Sequence, residues 1–512
     1  MNNDVSTGYA RLEVLLLVVA FVWLLLSVYP EPQLDNDLSR FASVESLVER
    51  GTWVIDDSPF HMKKPRGKRP AVPIVDMVKM GDHYYSTKPP VMSFLMAGEY
   101  WAFRHLGGLR FSEESHRPYL IWTLTFTFVA LPYLGIGLLF RKVSRWFIED
   151  PMVRVAGLFI LLFCGEQWGF ARTLNNHVPS AFLMFYPMVM AMGIVHGKLA
   201  PKPWVFLTIG LTAGLLPTFD LPGMFFCIPL FLYLLYWFPR QTLSWFILGA
   251  VPPLALHFAL TYAQTGGFKP IYLIRKFYSY PGSYWDRVQG IDALKEPRSV
   301  YLYHMTVGRK GLFSLFPLLL LPFRLFCKTW LQCERRDIRD LFVIMSDAGI
   351  LVLIWGAFTA FGATAESSRV SYLTPFLFFV SVLVPALIVI PRYRLKGLLS
   401  VHPRTEIISR IPFSIEVIGI CLLSILWLIF YTFQDQQNYG GMAYGFRWFI
   451  FFTPSLAFFA VLALDRMKTG WRWGLMCFLI AISFYSAWEC SLDPWTMNTE
   501  WTTRFLGKWT FE

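Results

Sequence analysis

Residues 11–29 read RLEVLLLVVAFVWLLLSVY, a run whose only charges are Arg11 and Glu13. About 20 mostly apolar residues suffice to carry a helix across a bilayer core. Working outward, comparable runs recur at about 118–140, 152–164, 178–196, 204–218, 222–238, 242–262, 311–326, 341–361, 371–390, 411–432, 448–464 and 472–488. The composition agrees: 55% of the 512 residues are hydrophobic and 16% charged, against about 25% charged in soluble chains. A soluble multidomain protein and a disordered chain are both excluded. The expected fold class is an all-α polytopic membrane protein with about 13 transmembrane helices, in which the short runs 152–164 and 204–218 tilt, dip or re-enter.

Charge placement orients the chain. With the N-terminus cytoplasmic, the inside loops hold nineteen Lys and Arg and the short outside loops three, Arg172, Arg369 and Arg447. Positive residues near span ends resist translocation, so this bias fits both the alternation and the orientation. Much of the net charge of +12 is therefore topological, and nucleic acid is not an expected partner. The first run is followed by SVYPEPQ rather than a small-residue cleavage pattern, which predicts a retained span. Of the seven cysteines, only Cys490 lies clearly outside, so no disulfide framework is expected. Cys327 and Cys333 share an inside loop without a CxxC pair or a nearby His, and no metal site is expected.

The chain then divides into a first span at 1–29, a long external loop at 30–117, a bundle at 118–262, a second external loop at 263–310, a bundle at 311–488 and an external tail at 489–512. Within the first loop, Phe41, Val44, Leu47 and Val48 recur at helical spacing over 37–50. A broader apolar face, with Val91, Phe94, Leu95, Tyr100, Trp101 and Phe103, runs over 91–106. These amphipathic stretches either lie along the membrane surface or pack on the bundle. HMKKPRGKRP at 61–70 reads as a solvated basic insertion or as a contact to anionic headgroups.

The most distinctive local signal is Tyr84-Tyr85-Ser86-Thr87-Lys88-Pro89-Pro90. The double proline holds Lys88 extended and opens the next helix, so its ammonium sits where backbone N–H groups and the helix dipole favour a phosphate. A solvated lysine beside an interfacial helix is the plainer reading. Asp35 and Asp37 follow the first span, with Arg40 one turn further. Asp37 reads either as the N-cap of the 37–50 helix or as a base for an acceptor. Asp35 is the alternative for the acidic role. Further polar groups gather at the outer span ends: Asn176 and His177 after Arg172, Asp220, Arg309 and Lys310, Arg369, and Arg447. Each alone fits a cap or a dipole-compensating charge. Their shared side is the stronger fact.

DLSRFASVESLVERGTWVID at 37–56 and DHYYSTKPPVMSFLMAGEYW at 82–101 resemble the first external loop of GT-C-fold membrane glycosyltransferases, the class of protein mannosyltransferases and aminoarabinose transferases. Asp37, Arg40, Phe41 and Ala42 match the D-x-x-R-[YF]-A pattern, and Lys88, Pro89 and Pro90 the K-P-P segment. The resemblance covers about 70 residues and implies sugar transfer from a polyprenyl-phosphate carrier, with Asp37 in the acid position and Lys88 in the carrier-phosphate position. It departs at Thr87, acidic in some relatives, and at the short turn after Arg172, where Asn176 or His177 stands for the acid those relatives carry in their second external loop; no metal is carried over.

The resulting expectation is a cell-membrane glycosyltransferase that uses no cofactor. It inverts the anomeric centre and takes a lipid-linked hexose or pentose to an unidentified lipid, glycan or protein acceptor on the external face. Asp37 or Asp35 would take the acceptor proton, and Lys88, with Arg309, Lys310 or Arg369, would stabilise the leaving phosphate. Arg40, Tyr84, Tyr85, Asn176, His177 and Arg447 would line the site. A transporter or lipid flippase would instead place ionisable groups near mid-bilayer, and a non-catalytic GT-C-like protein would keep the fold alone.

Overall fold

A computed structural model of the chain describes residues 3–63, 72–332, 413–434, 437–467 and 469–497. The expected spans 341–361 and 371–390, together with Arg369, lie outside the described residues.

Seven helices are long and apolar enough to cross a membrane: Thr7–Ser27, Arg117–Phe147, His177–Val195, Pro239–Thr265, Ile415–Thr432, Arg447–Asp465 and Gly470–Leu492. Four further apolar helices are shorter, namely Pro151–Phe163, Pro203–Phe219, Leu221–Trp237 and Pro317–Cys327. The chain is thus a multi-pass membrane protein, with fewer full-length helices among the described residues than the apolar runs suggest. Prolines set the difference by opening helices at Pro151, Pro203 and Pro317. The 17 residues of Pro203–Phe219 rise only about 26 Å, short of a core of roughly 30 Å.

Small residues bring two of these helices into backbone contact. Pro203–Phe219 packs along Pro239–Thr265, where a Cβ on Gly210 would stand 2.0 Å from the Phe246 carbonyl oxygen and one on Gly249 2.1 Å from that of Leu207. Packing of this closeness replaces the hydrophobic effect as the source of helix association in lipid. The Thr7–Ser27 helix instead leaves Leu12, Leu15, Val18, Val22 and Leu26 exposed, as a helix facing acyl chains does.

Polar contacts sort to two ends of the bundle. One end joins Glu13 to Arg141 and Arg145, Asp150 to Arg472 and His196 to Glu416. The other joins Ser27 to Arg172, Asp37 to Thr173, Asn176 to Asp220 and Asp292 to Asn438. Alternating spans require this segregation.

The first loop carries the two surface helices, Asp35–Glu49 and Pro90–Gly107. The second packs on the first and on the bundle helices Pro203–Phe219 and Ile247–Thr265, burying Val91, Met92, Met96 and Tyr100 while Phe94, Trp101 and Leu106 stay exposed. Bundle packing and an outward apolar face therefore coexist on one helix.

Between these helices the all-helical expectation needs correcting. Met62–Lys63 pairs with Val72–Pro73, and Met77–Met80 pairs antiparallel with His83–Ser86 through a two-residue turn. Gly81 takes the left-handed conformation that turn requires, at φ 63°.

Candidate active site

The hairpin register positions the lysine. Met77 faces Ser86 and Met80 faces His83, so Asp76 arrives beside Thr87 and Lys88. The Asp76 carbonyl accepts from the Thr87 N–H (3.3 Å) and from the Ser39 hydroxyl (2.5 Å). Ser39 also bonds Ser86 Oγ (2.7 Å), which accepts from the Lys88 N–H (3.2 Å). The hairpin is thereby fastened to helix Asp35–Glu49. Trp285 donates its indole N–H to the Val75 carbonyl (2.9 Å), bringing the 263–310 loop against the segment that leads into the hairpin.

Pro89 then caps helix Pro90–Gly107, with Pro90 in its first turn. Lys88 Nζ lies 3.0 Å from Asp76 Oδ2. Burial lowers its pKa, the Asp76 carboxylate raises it, and Arg40 and Arg447 lower it again. The ammonium is thus kept charged chiefly by one carboxylate.

Helix Asp35–Glu49 begins two residues before Asp37, with Leu34 at the N-cap and no side-chain cap. Asp37 nevertheless ties the entry, since its Oδ2 accepts from the Gln33 N–H (2.9 Å) and from the Thr173 hydroxyl (3.4 Å). Its Oδ1 is buried without a hydrogen-bond partner. Burial pushes this carboxyl up to about 7, against the Gln33 and Thr173 hydrogen bonds and the Arg40 charge. Asp35 pairs with Lys63 (2.7 Å), and burial raises its pKa against that pairing. Arg40 is 1% exposed, and none of its three guanidinium nitrogens has a hydrogen-bond partner; its charge is answered by Asp37, Asp76 and Asp220.

These segments enclose a cavity of about 690 Å³. Asn36, Asp76, Thr87 and Lys88 line it from the first loop, Asn176, His177 and Asp220 from the bundle, Tyr272, Arg275, Tyr278, Trp285 and Asp286 from the second loop, and Arg447 from the start of the Arg447–Asp465 helix. Asp220 bonds Asn176 Nδ2 and His177 Nδ1, both at 3.1 Å. Arg447 stacks on Trp495 at 5.3 Å, and its charge is answered by Asp76, Asp37, Asp292 and Asp220. The wall thus presents three cations, three carboxylates and an aromatic side built from Tyr272, Tyr278 and Trp285.

Of the candidate residues, Lys88, Asn176, His177 and Arg447 line this cavity. Asp37 and Arg40 stand behind it, within electrostatic reach of Arg447 and Lys88 respectively. Tyr84 and Tyr85 lie on the hairpin away from the lining; Tyr84 packs on His61 and Tyr280.

Arg309 and Lys310 do not line the cavity. Arg309 faces Glu296, and buried Lys310 donates to the Ala443 carbonyl beside Glu166. Burial pushes Lys310 down to about 7 and Glu166 up to about 8. Among the described residues, no three His, Cys, Asp or Glu side chains group to hold a metal ion.

Asp76, Arg275, Tyr278, Trp285 and Asp286 escape the sequence reading. Asp76 had a usable signal: taking Gly81-Asp82 as a two-residue hairpin turn pairs 77 with 86 and sets 76 next to the lysine. The second-loop residues had none, because long-range docking brings them in.

No family model and no curated protein matches the chain. It is similar to the solved structure of ArnT from Cupriavidus metallidurans in the apo state, at 16% identity over 94% of this chain and 78% of that one, with a TM-score of 0.38. The same protein bound to undecaprenyl phosphate gives 16%, the same coverage and 0.39. The archaeal oligosaccharyltransferase AglB from Archaeoglobus fulgidus, in complex with an inhibitory peptide and a dolichol-phosphate, gives 12% identity over 96% of this chain and a TM-score of 0.37; the chain spans 56% of its length.

Proposed function

We propose that the cavity transfers a sugar from a polyprenyl-phosphate donor to an acceptor on the external face of a cell membrane. The observation that carries this reading is the convergence of Lys88, Arg275 and Arg447 on one cavity, with Lys88 at the start of a helix whose outer face is apolar. Such a place suits a phosphate whose lipid tail stays in the bilayer. The K-P-P and D-x-x-R-[YF]-A resemblance supports it separately, and the charge bias of the loops supports external placement.

In the proposed step, an acceptor hydroxyl or amine attacks the anomeric carbon while the bond from that carbon to the phosphate oxygen breaks. The acceptor proton passes to the Asp37 carboxylate, which is 1% exposed behind the cavity wall and is reached by a shift of that wall at Asn36 or through one relaying water; its unpartnered Oδ1 and raised pKa suit a base working near neutrality. The leaving polyprenyl phosphate gains one negative charge, stabilised by Lys88, Arg447 and Arg275. A single displacement inverts the anomeric centre.

Purified protein in lipid nanodiscs, given radiolabelled polyprenyl-phosphate sugars and a membrane extract, tests this. Wild-type protein is expected to transfer label, and Asp37→Asn and Lys88→Ala to lose about 10²-fold or more. Transfer unchanged in both variants would overturn the assignment.

A further inference from the structure

At the end of the bundle opposite the cavity, Glu13 sits in the Thr7–Ser27 helix, 14 residues before Ser27 and so about 21 Å away along the axis. Its side chain is 2% exposed and is met by three arginines. Arg141 Nε and Arg145 Nε each reach Oε2 at 3.0 Å, and Arg145 Nη2 reaches it at 2.5 Å. Arg154 Nε lies 3.7 Å from Oε1. Three guanidinium charges on one carboxylate leave an excess of two positive charges. The neighbouring acids do not remove it. Asp150 is engaged by Arg472 at 2.6 Å, and the carboxylates of Asp465 and Glu149 act on Arg466.

Donor capacity is left over as well. A guanidinium carries five N–H donors. Arg154 Nη1 spends its own on the Ile148 and Glu149 carbonyls. Glu13 engages Arg141 through Nε and Arg145 through Nε and Nη2, which leaves the terminal nitrogens of Arg141 and Nη1 of Arg145 outside that contact. Arg145 is 40% exposed and Arg141 27%. Around this charge the surface is apolar: Leu12, Leu15, Leu138 and Met152 are all exposed. Lys142 lies over the Trp146 ring at 5.4 Å, an aromatic–cation pair of the kind found at headgroup level.

We infer that Arg141, Arg145 and Arg154 form a binding site for the phosphate headgroup of an anionic phospholipid, with Glu13 holding the three guanidiniums in place. Arginine forks match phosphate oxygens in pairs, and the exposed leucines give the acyl chains a surface that a free phosphate ion does not need. The inference is independent of the transfer reaction.

Native mass spectrometry of the full chain in detergent, titrated with phosphatidylglycerol, phosphatidylcholine or inorganic phosphate, tests it. Wild-type protein is expected to retain phosphatidylglycerol over phosphatidylcholine, and Arg141→Ala/Arg145→Ala to lose that retention about tenfold or more. Lys198→Ala/Lys202→Ala, at the same end of the bundle, is expected to keep it. Should the double arginine variant fail to fold, Arg145→Gln alone, at the most exposed member, is expected to show a smaller loss in the same direction. No preference between the two lipids, or an equal loss in the lysine variant, would overturn the site. Displacement of the lipid by equimolar inorganic phosphate would overturn its assignment to a phospholipid.

Discussion

Asp37 combines a helix-entry role with an unsatisfied oxygen, and its pH behaviour separates the two. Its carboxyl titrates at about 7 in the folded protein, against about 4 in an unfolded chain. The form that accepts a proton therefore grows as pH rises through 7, so the rate is expected to fall on the acid side with a midpoint near 7. Stability runs the other way. Between about 4 and 7 the unfolded chain has released this proton while the folded chain keeps it, so stability is lost as pH rises through that window. Asp37→Asn, with its rate down about 10²-fold or more, should therefore gain in thermal midpoint relative to wild type at pH 8, and not at pH 4. A midpoint scan at both values checks this; equal effects at the two would leave the carboxyl without its raised pKa.

Lys88 depends on Asp76 for its charge. Asp76→Asn removes the largest influence raising the Lys88 pKa. The alkaline limb of the transfer rate is expected to move to lower pH, whereas a purely structural role for Asp76 would lower the rate equally at all pH.

Two elements deliver these side chains. The hairpin 77–86 is held to helix Asp35–Glu49 through Ser39, whose hydroxyl meets both the Asp76 carbonyl and Ser86 Oγ. Ser39→Ala leaves those buried groups short of a partner, at a cost of about 1–3 kcal/mol. It is expected to raise the donor KM more than it lowers kcat, because Lys88 is displaced without being removed. The second element is the contact of Pro203–Phe219 with Pro239–Thr265. Gly210→Leu would drive a side chain into the Phe246 carbonyl, and loss of the folded species by size-exclusion chromatography is expected.

The membrane helices were legible as long apolar runs, and the surface helix from residue 37 by the helical spacing of its apolar residues. Lys88 stood out through the double proline that follows it, and Asn176, His177 and Arg447 because polar groups gather at the span ends of one side. The hairpin was obscured by its brevity and by the basic 61–70 insertion ahead of it. Arg275, Tyr278 and Trp285 were hidden for a different reason. Aromatic and basic residues fill the whole 263–310 loop, and only the Trp285–Val75 contact and its neighbours decide which of them reach the cavity.

At the scale of the whole molecule, the bundle has two chemically different ends. One carries the cavity with its balanced cations and carboxylates; the other carries the arginine excess around Glu13. On the loop charges, the proposed orientation puts the second end in the cytoplasm. A single cysteine introduced at Asp82 should then react with an impermeant maleimide in sealed cells, and one at Lys202 only after permeabilisation. The reverse pattern would invert the topology.

The proposed transfer requires the cavity to hold a polyprenyl phosphate by its headgroup. The most direct test is photocrosslinking with a polyprenyl-phosphate analogue carrying a diazirine beside the phosphate, followed by peptide mapping. Label is expected on peptides containing 84–90, 272–286 and 447–448, with labelling reduced in Lys88→Ala. Label confined to other segments, and unaffected by that substitution, would mean that the phosphate binds elsewhere.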